Sequence, residues 1–152
     1  MKDMGLVDVI LGIRIKRDDN GITITQSHFI EKILKKIKRE ICSSISTPIH
    51  PNVRLLPNAG KVVSQHKYSQ AIGCLMYAMT STRPDISYGV GKLSRFTSKM
   101  GTHHWHAVNR VFKYLKQTMN YGITYAAFPF VIEGYSDAIW ITNVEDHSST
   151  TG

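Results

Sequence analysis

Residues 65–81 read QHKYSQAIGCLMYAMTS and residues 82–98 read TRPDISYGVGKLSRFTS. In the first of these stretches Ala71, Ile72, Leu75, Met76 and Met79 recur at helical spacing, which predicts a helix from about Gln65 to Thr80 with one apolar face. Gly73 in its middle costs helix propensity and points to close approach by another helix. Arg83-Pro84-Asp85 then interrupts the chain. Pro84 suits the first helical position, and Asp85 suits a first turn, beside the positive end of the helix dipole. A further helix follows to about Ser98, with Ile86, Val90, Leu93 and Phe96 inward. These two helices set the centre of the chain as helical.

Outward in both directions the pattern changes. Downstream, Thr102 can cap another helix in which Trp105, Val108, Phe112 and Leu115 face inward, while Arg110, Lys113 and Lys116 share an adjoining face. After Asn120-Tyr121-Gly122 the period drops to two, so Ile123–Tyr125 and Phe130–Ser136 read as strands joined by a tight loop holding Pro129. The remaining tail is polar, has no closing element, and leaves a sheet with an open edge that invites self-association. Upstream, Cys42 to Gly60 carries three of the five prolines and reads as an extended connection between two packed units. Before it, Ser27 can cap an amphipathic helix of about 14 residues with Ile30, Ile33, Leu34, Ile37 and Ile41 on one stripe and lysines elsewhere. Val7 to Thr25 reads as a β-hairpin: Val9, Leu11, Ile13 and Ile15 alternate, Ile22 and Ile24 alternate on the return, and Asn20-Gly21 marks the turn. The expected fold class is α+β: an N-terminal hairpin, about four helices, and an incomplete C-terminal sheet. The expected segments are 1–41, a linker 42–62, a helical region 63–119, and 120–152.

Composition narrows the function classes. The chain has 152 residues, 42 % apolar and 20 % charged, enough for a core and too few charges for a disordered polyelectrolyte. Its longest near-continuous apolar stretch, Ala71 to Met79, is far short of a membrane span, and no membrane partner is expected. The first residues lack a signal-peptide core, and Cys42 and Cys74 have no CxxC partner, which fits a reducing, intracellular setting in cytoplasm or nucleus. The net charge of +8 is uneven: residues 83–116 carry net +6, and residues 117–152 carry net −4 with no Lys or Arg at all. A basic body of this kind fits an anionic partner such as nucleic acid, or else a solvated helical surface.

Motifs for chemistry are sparse. His103, His104 and His106 crowd a helix start, but that spacing does not place all three on one face, so they read as structural or solvent-exposed. Asp18-Asp19 precedes the hairpin turn and reads as turn chemistry. Neither Gly-x-Ser-x-Gly nor a phosphate loop occurs. Asp137, at the end of a strand, is either a turn residue or a metal position.

Several stretches together resemble the Pol polyprotein of copia-type LTR retrotransposons of plants. They are Asp3-Met4-Gly5-Leu6 with Leu11-Gly12-Ile13, then Thr47-Pro48, then Ile72-Gly73-x-Leu75-Met76-Tyr77 with Thr82-Arg83-Pro84-Asp85-Ile86 and Leu93-Ser94-Arg95-Phe96. His104-Trp105-x-Ala107-Val108-x-Arg110-Val111-x-x-Tyr114-Leu115-Lys116 follows, and Glu133-Gly134-Tyr135-Ser136-Asp137-Ala138-x-Trp140 and Ser149-Thr150-Thr151-Gly152 complete the order. The resemblance implies that residues 1–41 are the end of a reverse-transcriptase palm with a thumb-like helix, 63–119 a connection region, and 120–152 the start of a ribonuclease H-like domain. It implies that Asp137 is a single remnant ligand of a ribonuclease H metal site. The parent family uses Mg²⁺ in a two-metal mechanism. This sequence has no Tyr-x-Asp-Asp, and Ile139 and Ser148 depart from the family's residues. The expectation is a fragment without catalysis and without retained cofactor. It would bind RNA–DNA or DNA duplex weakly and without sequence preference through Arg83, Lys92, Arg95, Arg110, Lys113 and Lys116. The alternatives are a non-enzymatic protein-interaction module and a decayed reading frame without function.

Overall fold

A computed structural model of the chain describes residues 6, 8–19, 21–37, 45–50, 55–58, 64–98, 100–126, 134, 138–143 and 148–151. The N-terminal region folds as three strands, β1 (Val9–Ile10), β2 (Ile13–Asp18) and β3 (Gly21–Thr25). The alternation from Val9 to Ile15 predicts one strand; instead the chain reverses at Leu11-Gly12, where φ is 51° and 78°. Two successive left-handed residues make a tight turn whose twist matches antiparallel strands, so Ile10 pairs back onto Ile13. The β2–β3 hairpin forms as expected, closing on Asp18 opposite Gly21.

A fourth strand, β4 (Gly122–Ala126), completes this sheet in the order β1-β2-β3-β4. This corrects the expectation that residues 123–125 open a separate C-terminal sheet. Ile123 lies opposite Ile24, and Tyr125 opposite Ile22, so the strand continues an apolar stripe already begun by Ile15 and Ile24. Gly122 lets the backbones close at Thr25, since a Cβ there would strike the Ile24 carbonyl. Of the strand expected at 130–136 only Gly134 is among the described residues, and it lies in no strand.

The helices are α1 (Ser27–Ile37), α2 (Gln65–Ser81), α3 (Ser87–Ser94) and α4 (Thr102–Gln117), with a 3₁₀ turn at Pro84–Ile86 just before α3. Pro84 opens that turn as its sequence position suggests. Together they build a four-helix α+β core from Ile30, Tyr68, Ile72, Leu75, Leu93, Val108, Phe112 and Leu115. Ile49 and Leu55, within the stretch read as an extended connection, belong to the same core. The Tyr68 hydroxyl, fully buried, donates to the Leu93 carbonyl at 2.8 Å and ties α2 to α3; burial pushes its pKa up to about 12.

Two expectations inside α2 are corrected. No atom lies within 4 Å of a Cβ built on Gly73, which therefore marks open surface and not a close helix contact. Met76 is 44 % exposed, and Tyr68, Ala71, Ile72, Leu75 and Ala78 form the buried face instead. Gly101, not Thr102, caps α4: the Gly101 N–H donates to His104 Nδ1 at 2.9 Å.

The tail also differs. Strand β5 (Ala138–Asn143) pairs antiparallel with β6 (Ser148–Thr151), Ile139 opposite Thr150, with an irregularity before Asn143. Residues 139–142 and 150–151 are rich in β-branched side chains, which favours pairing over the open tail expected from polarity. No described helix is long and apolar enough to cross a membrane.

Candidate nucleic-acid interface

Arg83 does not belong to a surface. Its side chain is 1 % exposed and acts as the bolt between the end of α2 and the end of α4. The guanidinium grips Asp85 with both prongs, Nε at 2.9 Å and Nη2 at 2.7 Å. It also donates to the Thr118 carbonyl at 2.9 Å and to Thr118 Oγ1 at 2.6 Å. Tyr114 and Tyr121 place their rings 5.5 Å from its centre, adding cation–π attraction. Burial alone would raise the Asp85 carboxyl; the hydrogen bonds from Arg83 and Tyr114 and the guanidinium charge outweigh it and hold the pKa below its ordinary value. Next to this bolt, Thr82 Oγ1 donates to Gln26 Oε1 at 2.9 Å, both residues buried, which fastens α2 to the end of β3. Arg83 is therefore removed from the expected nucleic-acid contacts, because a charge satisfied on all sides inside the core cannot meet a phosphate.

The other expected contacts lie at or near the surface. Arg95 and Lys116 are exposed, and Lys92, Arg110 and Lys113 are half-buried. Arg110 is partly committed: its Nη2 donates to Thr47 Oγ1 at 2.9 Å and fixes the Thr47-Pro48 segment to α4. Lys92 extends over the Tyr88 ring, 4.8 Å from its centroid. The Arg83–Asp85 pair cancels its own charge, so the net +6 of residues 83–116 rests on the remaining basic residues.

The chain is 32 % identical over its whole length to the retrovirus-related Pol polyprotein from transposon TNT 1-94 of Nicotiana tabacum, covering 12 % of that protein. It is likewise 32 % identical over its whole length to the retrovirus-related Pol polyprotein from transposon RE1 of Arabidopsis thaliana, covering 10 % of it. The chain belongs to the copia-type retrotransposon Pol family. It spans about a tenth of the length of these Pol relatives. A stretch of 86 residues, 56 % of the chain, is also 44 % identical to the secreted RxLR effector protein 161 of Plasmopara viticola, covering 61 % of that protein. No family model and no solved structure matches.

Within this Pol segment the motif residues divide by role. Thr82, Arg83, Asp85 and Tyr114 hold helices together, as does Tyr68 outside the motifs, whereas in the sequence Arg83 reads as a nucleic-acid contact and Pro84-Asp85 as a helix start. The signal available in sequence was the Arg-Pro-Asp spacing, since an arginine two residues before a carboxylate across a proline turn can close a fork on it. The histidines also resolve. His104 is fully buried, with its ring 4.3 Å from Phe96 and 3.9 Å from His103. His103 Nε2 meets the Leu56 carbonyl at 3.1 Å.

Two-metal chemistry needs several carboxylates converging on one point. Among the described residues no group of three or more His, Cys, Asp or Glu could hold a metal. Asp85 is committed to Arg83, and Asp18 and Asp19 are exposed at the β2–β3 turn. These residues do not fit a pair of Mg²⁺ ions. Asp137 lies outside the described residues.

Proposed function

We propose that this Pol segment is a non-catalytic part of a reverse transcriptase–ribonuclease H polyprotein that keeps a weak, sequence-indifferent hold on RNA–DNA or DNA duplex. The observation that carries this is the surplus of basic side chains on α3 and α4, where the only acidic residue of the 83–116 stretch is neutralised internally by Arg83. Such a surface neutralises phosphates and releases counterions, which favours any duplex regardless of sequence. With β4 part of the N-terminal sheet, the ribonuclease H-like character is proposed only for the chain beyond it, and that character and Asp137 as a remnant ligand rest on the resemblance.

The test is a titration of a labelled RNA–DNA hybrid at several salt concentrations. Affinity in the non-specific range of roughly 10⁻⁴–10⁻⁶ M at physiological salt, falling steeply as salt rises, is expected. Replacing Lys92, Lys113 and Lys116 together by Glu removes most of it; unchanged binding by a folded triple variant overturns the reading. In parallel, the chain with Mg²⁺ or Mn²⁺ extends no primer and cuts no hybrid. Metal-dependent cleavage lost in Asp137→Asn would contradict the non-catalytic part.

A second reading, a protein-interaction module, draws on a different observation. Val9, Ile10 and Ile22 are 52 %, 51 % and 43 % exposed on the four-stranded sheet, Leu11 is 82 % exposed in the turn between β1 and β2, and β4 is an outer strand of that sheet. Association through this sheet, including with a second copy, would tolerate salt, and sedimentation at low and high ionic strength separates it from duplex binding.

A further inference from the structure

We infer that Tyr88 is a stacking platform for an unpaired base, so that the α3 surface takes single-stranded nucleic acid or the overhang beside a duplex. This deepens the nucleic-acid reading above and rests on it. Three tyrosines are strongly exposed among the described residues: Tyr88 at 64 %, Tyr121 at 58 % and Tyr125 at 57 %. Tyr121 already has its ring beside the Arg83 guanidinium, and Tyr125 is built into β4 opposite Ile22. Tyr88 stands apart from both roles. The buried face of this part of the chain is made by Ile86, Val90 and Leu93, which leaves Tyr88 on the opposite side of α3.

Its surroundings suit a nucleotide. Among the described residues the one ring or polar contact of Tyr88 is Lys92, whose Nζ sits 4.8 Å from the ring centroid. A cation resting on one ring face leaves the other face for a planar group. Tyr88 and Lys92 stand four apart on α3, and exposed Arg95 follows just past the end of the helix. Residues 87–98 contain no acidic side chain to repel a phosphate. An aromatic face for the base with cations for the backbone is the combination that binds single strands without sequence preference, because every base has a π-face. A base inside a duplex hides both faces against its neighbours, so Tyr88 adds nothing to blunt duplex binding.

The experiment uses the full chain and three labelled probes: a blunt RNA–DNA duplex, the same duplex with a short single-stranded overhang, and the overhang strand alone. Tyr88→Ala is expected to weaken binding of the overhang and single-strand probes roughly 5-fold or more, the usual loss when a stacking aromatic is truncated. Binding of the blunt duplex stays as in the wild type, and Tyr88→Phe restores the overhang preference because the ring, not the hydroxyl, stacks. Equal overhang binding by Tyr88→Ala and wild type overturns the stacking role while leaving the basic surface in place. Equal losses on blunt and overhang probes overturn it too. Failure of the wild type to bind any probe removes the nucleic-acid reading itself.

Discussion

Replacing Arg83 tests the central packing claim most directly. Arg83→Ala deletes the fork on Asp85, two bonds to Thr118 and the cation between Tyr114 and Tyr121. Removing one partner of a fully buried ion pair costs about 3–5 kcal/mol. Asp85 keeps a third of its side chain in water, so its charge is not stranded, which brings the expectation to the low end, about 3 kcal/mol. The Thr118 carbonyl still accepts from the Tyr121 N–H at 3.0 Å, so no orphaned acceptor adds to this. At this chain length each kcal/mol moves the melting temperature by about 2–4 °C, giving a fall of roughly 6–12 °C. Arg83→Lys keeps the charge but cannot form the planar fork, and falls between the two, about 1.5–2 kcal/mol. Urea unfolding followed by circular dichroism measures all three proteins. Arg83→Ala within 1 kcal/mol of wild type, or Arg83→Lys equal to wild type, refutes the bolt. A folded Arg83→Lys that loses hybrid binding at native conditions would refute its separation from the nucleic-acid surface.

Two further outcomes follow from buried contacts. Burial, and then the charge of neighbouring His103, depress the His104 pKa from 6.5 to about 4. The unfolded chain therefore takes up this proton first, so stability is full above pH 6.5 and declines as pH falls toward 4. A melting-temperature profile across that window shows the decline, and His104→Phe flattens it; a wild-type profile without slope there rejects the buried neutral ring. At β4, Gly122→Ala forces a Cβ against the Ile24 carbonyl and within 2.6 Å of Thr25 Cγ2. The expected cost is about 1–3 kcal/mol, with faster amide exchange in β3, and an Ala variant as stable as wild type would show that β4 does not sit in this register.

Local pattern was enough for every element whose shape comes from its own residues. The apolar spacing of Ala71, Ile72 and Leu75, the Pro84 helix start, the β2–β3 hairpin and the Trp105–Leu115 stripe follow from periodicity and turn chemistry, and four helices form in the expected order, though α3 stops at Ser94, short of the expected Ser98, and leaves Phe96 in the turn beyond it, while the expected end of α1 at Ile41 lies outside the described residues. The surplus of Lys and Arg in residues 83–116 was likewise readable, because charge is counted without a fold. Tertiary structure decided what depends on neighbours distant in sequence. Strand β4 meets β3 across about a hundred residues, because Ile123 and Tyr125 complete a stripe begun by Ile22 and Ile24. Arg83 looks like its basic neighbours in sequence, yet Asp85, Thr118, Tyr114 and Tyr121 converge on it and take it out of water. A side chain's charge is local, but whether that charge faces solvent is fixed by the packing of every element around it.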